Sequence, residues 1–156
     1  MMEFTHLDAA GRARMVDVTD KVPTTRAATA RGFVACSAEV VDLLRAGDVP
    51  KGDVLAVARI AGIQAAKSTP ALLPLAHVIG IHGATVDLDV TDTGVEIEAT
   101  VRTADRTGVE MEALTAVSVA GLAVIDMVKA IDRAASMTDV RVVAKSGGRS
   151  GDWRRP

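Results

Sequence analysis

Cysteine occurs once in the 156 residues, at Cys36, so neither an internal disulfide nor a multi-cysteine zinc site can form. That usage fits a reducing compartment. Aromatic residues make up 2% of the chain, with no tyrosine, two phenylalanines and one tryptophan. So few rings argue against a stacking platform for single-stranded nucleic acid. Neither sign of charge is in excess, with 18 Lys and Arg against 20 Asp and Glu. Neither nucleic acid nor an anionic membrane is therefore expected as a partner, and any anion site has to be built locally. The start, MMEFTHLDAAGRARMVD, has no apolar run before its charges, so no signal peptide is expected. The longest apolar run is broken by Asp126 and Lys129 and falls short of a membrane span, which makes a cytoplasmic location the expectation. What remains for a core is aliphatic and alanine-rich, suited to closely packed helices and to subunit contacts. A chain of this length buries roughly 70% of its unfolded surface as one domain without a metal or disulfide staple.

Met1 to about Pro23 has little periodicity and carries charge throughout, which predicts an extended or partly mobile arm, 1–23, ahead of a single α+β domain, 24–156. Thr24–Cys36 points to a strand bearing Arg26 and Arg31. Ser37 predicts a helix N-cap, with Val40, Val41 and Leu44 at helical spacing and Gly47 as the stop. Asp53 caps a second predicted helix that turns Val54, Val57, Ile60 and Ile63 inward and is closed by Pro70. On that helix Arg59 and Lys67 share a face, ordinarily a solvated basic edge. The following ALLPLAHVIGIHG is interrupted by Pro74, His77 and His82; two histidines five apart, with no carboxylate between, make no metal site. From Ala84 the period changes to two. Val86, Leu88 and Val90, a DTG turn, then Val95, Ile97, Ala99 and Val101 predict a hairpin with one buried and one wet face.

Arg106–Ala135 holds the longest helical pattern. Val109, Leu114, Val117, Leu122, Ile125 and Val128 recur at helical spacing, and Val119, Val124 and Met127 spill onto the other faces, which predicts a helix buried nearly all round. Between Ala113 and Ile131 the only charges are Asp126 and Lys129, three residues apart on one side. Either they form an internal ion pair that satisfies itself or they do chemistry. A last strand is predicted at Val140–Ala144. After it, Lys145–Gly151 is a cationic, glycine-rich loop whose amides can approach phosphate oxygens, or else a loose C-terminal tail; P-loop spacing is absent. The expected class is α+β, with helices packed on one face of an antiparallel sheet.

Five stretches carry more specific information: MVDVTDK (Met15–Lys21), KGDVLAVARIAGIQAAK (Lys51–Lys67), LLPLAH (Leu72–His77), TGVEMEALTAVSVAGLAVIDMVKA (Thr107–Ala130) and KSGGRSGDW (Lys145–Trp153). In these strings and their order the chain resembles the cyclic pyranopterin monophosphate synthase family, the molybdenum-cofactor biosynthesis protein C family, over almost its whole length. The resemblance implies a ferredoxin-like subunit in a homohexamer, a trimer of dimers, with sites at subunit interfaces. It implies conversion of a 3′,8-cyclised dihydro-GTP, supplied by a radical SAM GTP cyclase, to cyclic pyranopterin monophosphate with loss of pyrophosphate. It places catalytic roles on Asp126, Lys129, Lys51 and His77. Substrate contacts fall on Leu75, Ala76, His77, Glu110, Met111 and Glu112, together with Lys67, Lys145 and Arg26. No cofactor is required, although Mg²⁺ riding on the triphosphate or pyrophosphate is chemically reasonable. The chain departs from the family's Leu-Cys-His-Pro, reading Leu75-Ala76-His77-Val78, which leaves no thiol at the site and restores an amide after the histidine. A catalytically weakened paralogue, acting as a nucleotide- or pterin-binding oligomeric module, is the competing reading.

The chemistry suits these residue types. Ring opening, ring closure and cyclic phosphate formation are proton transfers plus charge stabilisation, and a carboxylate beside an ammonium in an apolar run is an acid/base unit. Burial is expected to raise the Asp126 pKa while Lys129 lowers it. Glu112 and Asp126 lie fourteen positions apart on the same helix, about 21 Å at ~1.5 Å per residue. If both serve one reaction they come from different subunits.

Overall fold

The computed structural model describes residues 6–156; the first five residues of the expected arm lie outside them. Eight elements follow in order: β1 (Thr24–Ala35), α1 (Ala38–Ala46), α2 (Val54–Leu72), β2 (Gly83–Val90), β3 (Gly94–Asp105), α3 (Glu110–Val128), β4 (Ser136–Ser146) and β5 (Trp153–Arg154). They form one antiparallel sheet in the order β2-β3-β1-β4-β5, the β-α-β-β-α-β pattern of a ferredoxin-like fold extended by a short edge strand. The α+β class and antiparallel sheet thus hold.

The alternation predicted for the hairpin is realised in register. Val86 faces Ala99 and Leu88 faces Ile97 on the helix side, while Asp87 faces Glu98 and Asp89 faces Glu96 on the open side. β1 follows the same rule: Ala28, Ala30 and Val34 are buried, and Arg31 on the open face donates to Glu98 at 2.6 Å. Gly94 starts β3 at φ 154°, where a Cβ would collide with the Val34 carbonyl, so glycine is required there. Helix α1 begins and ends as its signals predict, with Ser37 Oγ accepting from the Val40 amide and Gly47 left-handed at φ 75°.

Helix α2 corrects two expectations. Its inner face is Val54, Ala58, Gly62, Ala65, Ala66 and Thr69, whereas Val57 is 45% and Ile60 69% exposed. The reason is proximity to α3: a Cβ on Gly62 would lie 2.9 Å from the Ala116 carbonyl and 3.3 Å from Ala120 Cβ. Two helices that close can bury only small side chains, so the large ones turn outward. Pro70 does not stop α2, which runs two residues further. Its ring removes an amide donor from the helix ladder, and Thr69 Oγ1 instead donates to the Ala65 and Ala66 carbonyls at 3.2 and 3.1 Å.

Helix α3 is shorter than the predicted Arg106–Ala135, and β4 is longer than Val140–Ala144. Nor is α3 buried all round: Val109, Ala113, Ala116, Val117, Ala120, Val124 and Val128 face the core, while Met111 (43%) and Leu122 (56%) are exposed. By length and composition it does meet the requirement for a membrane span, contrary to the expectation, but half of that window is buried within the domain. The C-terminal tail is not loose. It passes through Gly147, Gly148 and Gly151, all at positive φ, and returns as β5 to pair Trp153 with Lys145.

Candidate functional site

At the C-terminal end of α3, three predicted residues meet. Asp126 and Lys129 lie on the last turn and the cap of the helix, and Lys51 comes from the turn ahead of α2, which Asp53 starts by accepting from the Ala56 amide at 2.9 Å. Lys129 Nζ donates to Asp126 Oδ1 at 2.7 Å. Lys51 Nζ donates to the Asp126 carbonyl at 2.8 Å and lies 3.5 Å from its Oδ2. The group is not buried, as the run of apolar neighbours had suggested: the Asp126 and Lys129 side chains are each 60% exposed. The helix turns Val124, Met127 and Val128 to the core and presents the opposite side, with Leu122, to solvent. Accordingly the Asp126 pKa is lowered, through the Lys129 hydrogen bond first and then the charges of Lys129 and Lys51, which outweigh the opposing effect of desolvation.

At the other end of α3 the remaining candidates gather. Glu112 is 3% exposed, and burial pushes its carboxyl above the ordinary range; Glu110 adds to that and the nearby His77 opposes it. Glu110 Oε1 pairs with Lys145 Nζ at 3.2 Å, and the same ammonium donates to Ser150 Oγ at 3.1 Å. Arg26, Glu110, Lys145, Gly147 and Ser150 line a cavity of ≈ 190 Å³. Next to this helix end, Leu73, Pro74, Leu75, Ala76 and Met111 line a second, largely apolar hollow of ≈ 390 Å³, with His6 at its rim. His77 Nε2 lies 2.6 Å from the Val16 carbonyl.

So Leu75, Ala76, His77, Glu110, Met111, Glu112, Lys145 and Arg26 share the N-terminal end of α3, and Lys51, Asp126 and Lys129 the C-terminal end. The two sets are separated by most of the helix, about 21 Å for fourteen residues. Lys67 joins neither set; it is exposed on α2 and forms no ion pair among the described residues. A further hollow, ≈ 530 Å³, lies on the open sheet face among Arg31, Asp87, Asp89, Glu96, Glu98 and Arg141, and contains none of the predicted site residues.

Other groups are structural. His82 Nδ1 accepts from the Ala104 amide at 3.3 Å, tying the residue ahead of β2 to β3. The Cys36 thiol is pushed up to about 11 by burial and then by Asp132, so it is a poor nucleophile. Among the described residues no three His, Cys, Asp or Glu side chains are grouped to hold a metal ion. Sequence reasoning missed Ser150 and Val16. Ser150 stood inside the flagged glycine-rich loop, whereas Val16 contributes a main-chain atom that no side-chain pattern announces.

Comparison with known proteins gives the family. The model of the MoaC family matches residues 15–148. A protein of a Nocardioides species named cyclic pyranopterin monophosphate synthase is 63% identical over 98% of this chain and 96% of its own length. Proteins of the same name from Streptomyces griseus and Chloroflexus aurantiacus are 64% and 56% identical, covering 97% and 99% of this chain and 86% and 96% of theirs. The chain belongs to the MoaC family.

Proposed function

We propose that this protein converts (8S)-3′,8-cyclo-7,8-dihydroguanosine 5′-triphosphate to cyclic pyranopterin monophosphate with release of pyrophosphate, an early step of molybdenum cofactor biosynthesis. The observation that carries the reading is the convergence of Lys51, Lys129 and Asp126 at hydrogen-bonding distances, in a chain 63% identical to a protein of that name. A weakened binding module has no need of that cluster and is not favoured.

The two carboxylates divide the acid and base roles. Asp126 is held ionised by two ammonium groups and acts as base and electrostatic partner; Glu112, buried and biased toward its protonated form, acts as acid. Arg26 and Lys145 neutralise the triphosphate and the charge that grows on the departing pyrophosphate. Leu75, Ala76 and Met111 offer an apolar wall to the purine ring. His77 relays protons to and from the substrate. Because the acid and base sets sit at opposite ends of α3, a working site joins one end from one subunit to the other end of its neighbour. The exposed Val57, Ile60 and Leu122 supply apolar surface for such contacts, and a homohexamer built as a trimer of dimers satisfies the requirement. The substrate comes from a radical SAM cyclase acting on GTP in the cytoplasm, and Mg²⁺, where it takes part, accompanies the phosphates.

Supplying purified protein with the cyclised GTP intermediate tests the reading. Pyrophosphate and cyclic pterin are expected in equal amounts, and a parallel reaction with chelator reports the part played by Mg²⁺. Formation of neither product overturns it.

A further inference from the structure

The contact between His77 and Val16 fixes a proton. A carbonyl oxygen can only accept, so in the 2.6 Å contact the hydrogen belongs to Nε2 of the imidazole. We infer that residues 15–21 form a positioning strap whose Val16 carbonyl holds the neutral form of His77 to the Nε2–H tautomer, leaving Nδ1 as the atom that exchanges protons with substrate. The inference deepens the proposed function and rests on it for the role of His77.

Several features support it. The strap is tied at two points, to His77 through Val16 and to Arg106, whose Nε donates to the Lys21 carbonyl at 2.9 Å. Ahead of it, residues 6–14 fold back on themselves: Leu7 bridges Ala13, the Arg14 amide donates to the His6 carbonyl, and Asp8 accepts from the Arg12 amide and guanidinium at 2.9 Å each. This turn sets His6 at the rim of the apolar hollow beside Leu75 and Met111. Among the described residues, Nδ1 of His77 has no hydrogen-bond partner, so its lone pair is free. A main-chain anchor has a particular use in this chain. His77 is followed by Val78, 88% exposed, whose backbone lacks the restriction of a proline ring. Orientation of the imidazole therefore falls to its partner across the loop, as a second group fixes the tautomer of a working histidine.

Two measurements on the full chain without substrate test this, so their failure is distinct from failure of the enzyme assay. With ¹⁵N-labelled histidine, the three imidazoles are assigned by single replacements, His6→Gln, His77→Gln and His82→Gln. In alkaline solution, where imidazoles are neutral, His77 is expected to show one ring proton, on Nε2 and slow to exchange with water, and a bare Nδ1. A proton on Nδ1, or a rapidly averaged pair, overturns the inference. The second measurement is the rate at which thermolysin cleaves within residues 15–21. His77→Gln places an amide donor where Nε2 stood and is expected to cleave like wild type. His77→Ala removes the donor and is expected to cleave roughly fivefold faster, the population change that one hydrogen bond of ordinary net strength produces. Equal rates for His77→Ala and wild type overturn it as well.

Discussion

Lys51 Nζ donates to the main-chain carbonyl of Asp126 at 2.8 Å while standing 3.5 Å from the carboxylate of the same residue, so one ammonium ties the turn before α2 to the end of α3. Lys129 takes the other carboxylate oxygen at 2.7 Å. The carboxylate is thus ionised, aimed and still accessible.

Asp126→Asn separates chemistry from stability. The amide keeps the shape and loses the base, so kcat/KM for pyrophosphate release is expected to fall by about 10²–10⁴-fold, the usual contribution of a positioned acid or base. A carboxyl with a lowered folded pKa stabilises the fold above its unfolded pKa and loses that contribution as pH falls through the folded value. Here the group is exposed and screened by solvent, so the melting temperature at neutral pH is expected to stay at the wild-type value. A large drop in melting temperature with activity retained shows instead a structural ion pair.

Glu112→Gln carries the opposite sign. Its folded pKa is raised, chiefly by burial, so the folded state binds the proton more tightly than the unfolded chain does. Stability is therefore fully present below the unfolded pKa and declines as pH rises through the folded one. The amide cannot ionise and escapes that decline. The variant is expected to melt with wild type in acid, below the ordinary carboxylate range, and above wild type at neutral pH, with activity reduced because the acid is gone. Thermal melts of both proteins across that range check the sign.

Much of this was legible in the chain, for local reasons. Ser37 and Gly47 set the limits of α1 by their own backbone chemistry, and the period of two around Val86–Val101 fixed both register and wet face. The misreadings of burial share one cause, the use of apolar size as a guide to it. Val57 and Ile60 are larger than Ala58 and Gly62, but the close approach of α3 makes the small residues the inner ones. Asp126 lies in an apolar run, yet its stripe of α3 faces away from the sheet with Leu122. Residues left outside by a single subunit's packing look like core in the sequence when they are apolar. The Val16 carbonyl lay beyond side-chain patterns altogether.

Gly62→Val tests the helix crossing directly. Even a Cβ at this position lies 2.9 Å from the Ala116 carbonyl and 3.1 Å from Val86 Cγ2, so valine must push α2 off α3 and β2. Overpacking of that kind costs about 1–3 kcal/mol, to which the poorer helix propensity of a β-branched residue adds a little. Denaturant unfolding should show a lower midpoint with an unchanged slope. An unchanged midpoint would mean that the crossing is looser than these distances require.

Mixed oligomers decide whether the two ends of α3 meet across a subunit boundary. Glu112 and Asp126 are fourteen residues apart on one rigid helix, about 21 Å along its axis, so one small substrate does not reach both within a chain. Glu112→Ala and Asp126→Ala proteins are each expected to be nearly inactive. Unfolded together and reassembled, they form interfaces in which an intact Glu112 end faces an intact Asp126 end, alongside interfaces in which both ends are damaged. Random pairing in a site built from two chains makes about a quarter of the sites intact, by the self-complementary logic of two-fold interfaces. Recovery of roughly that fraction of wild-type activity, in oligomers shown by mass spectrometry to contain both chains, is the expected result. Full mixing without recovery would place each site within a single subunit, and the separation along α3 would then exclude Glu112 or Asp126 from the reaction.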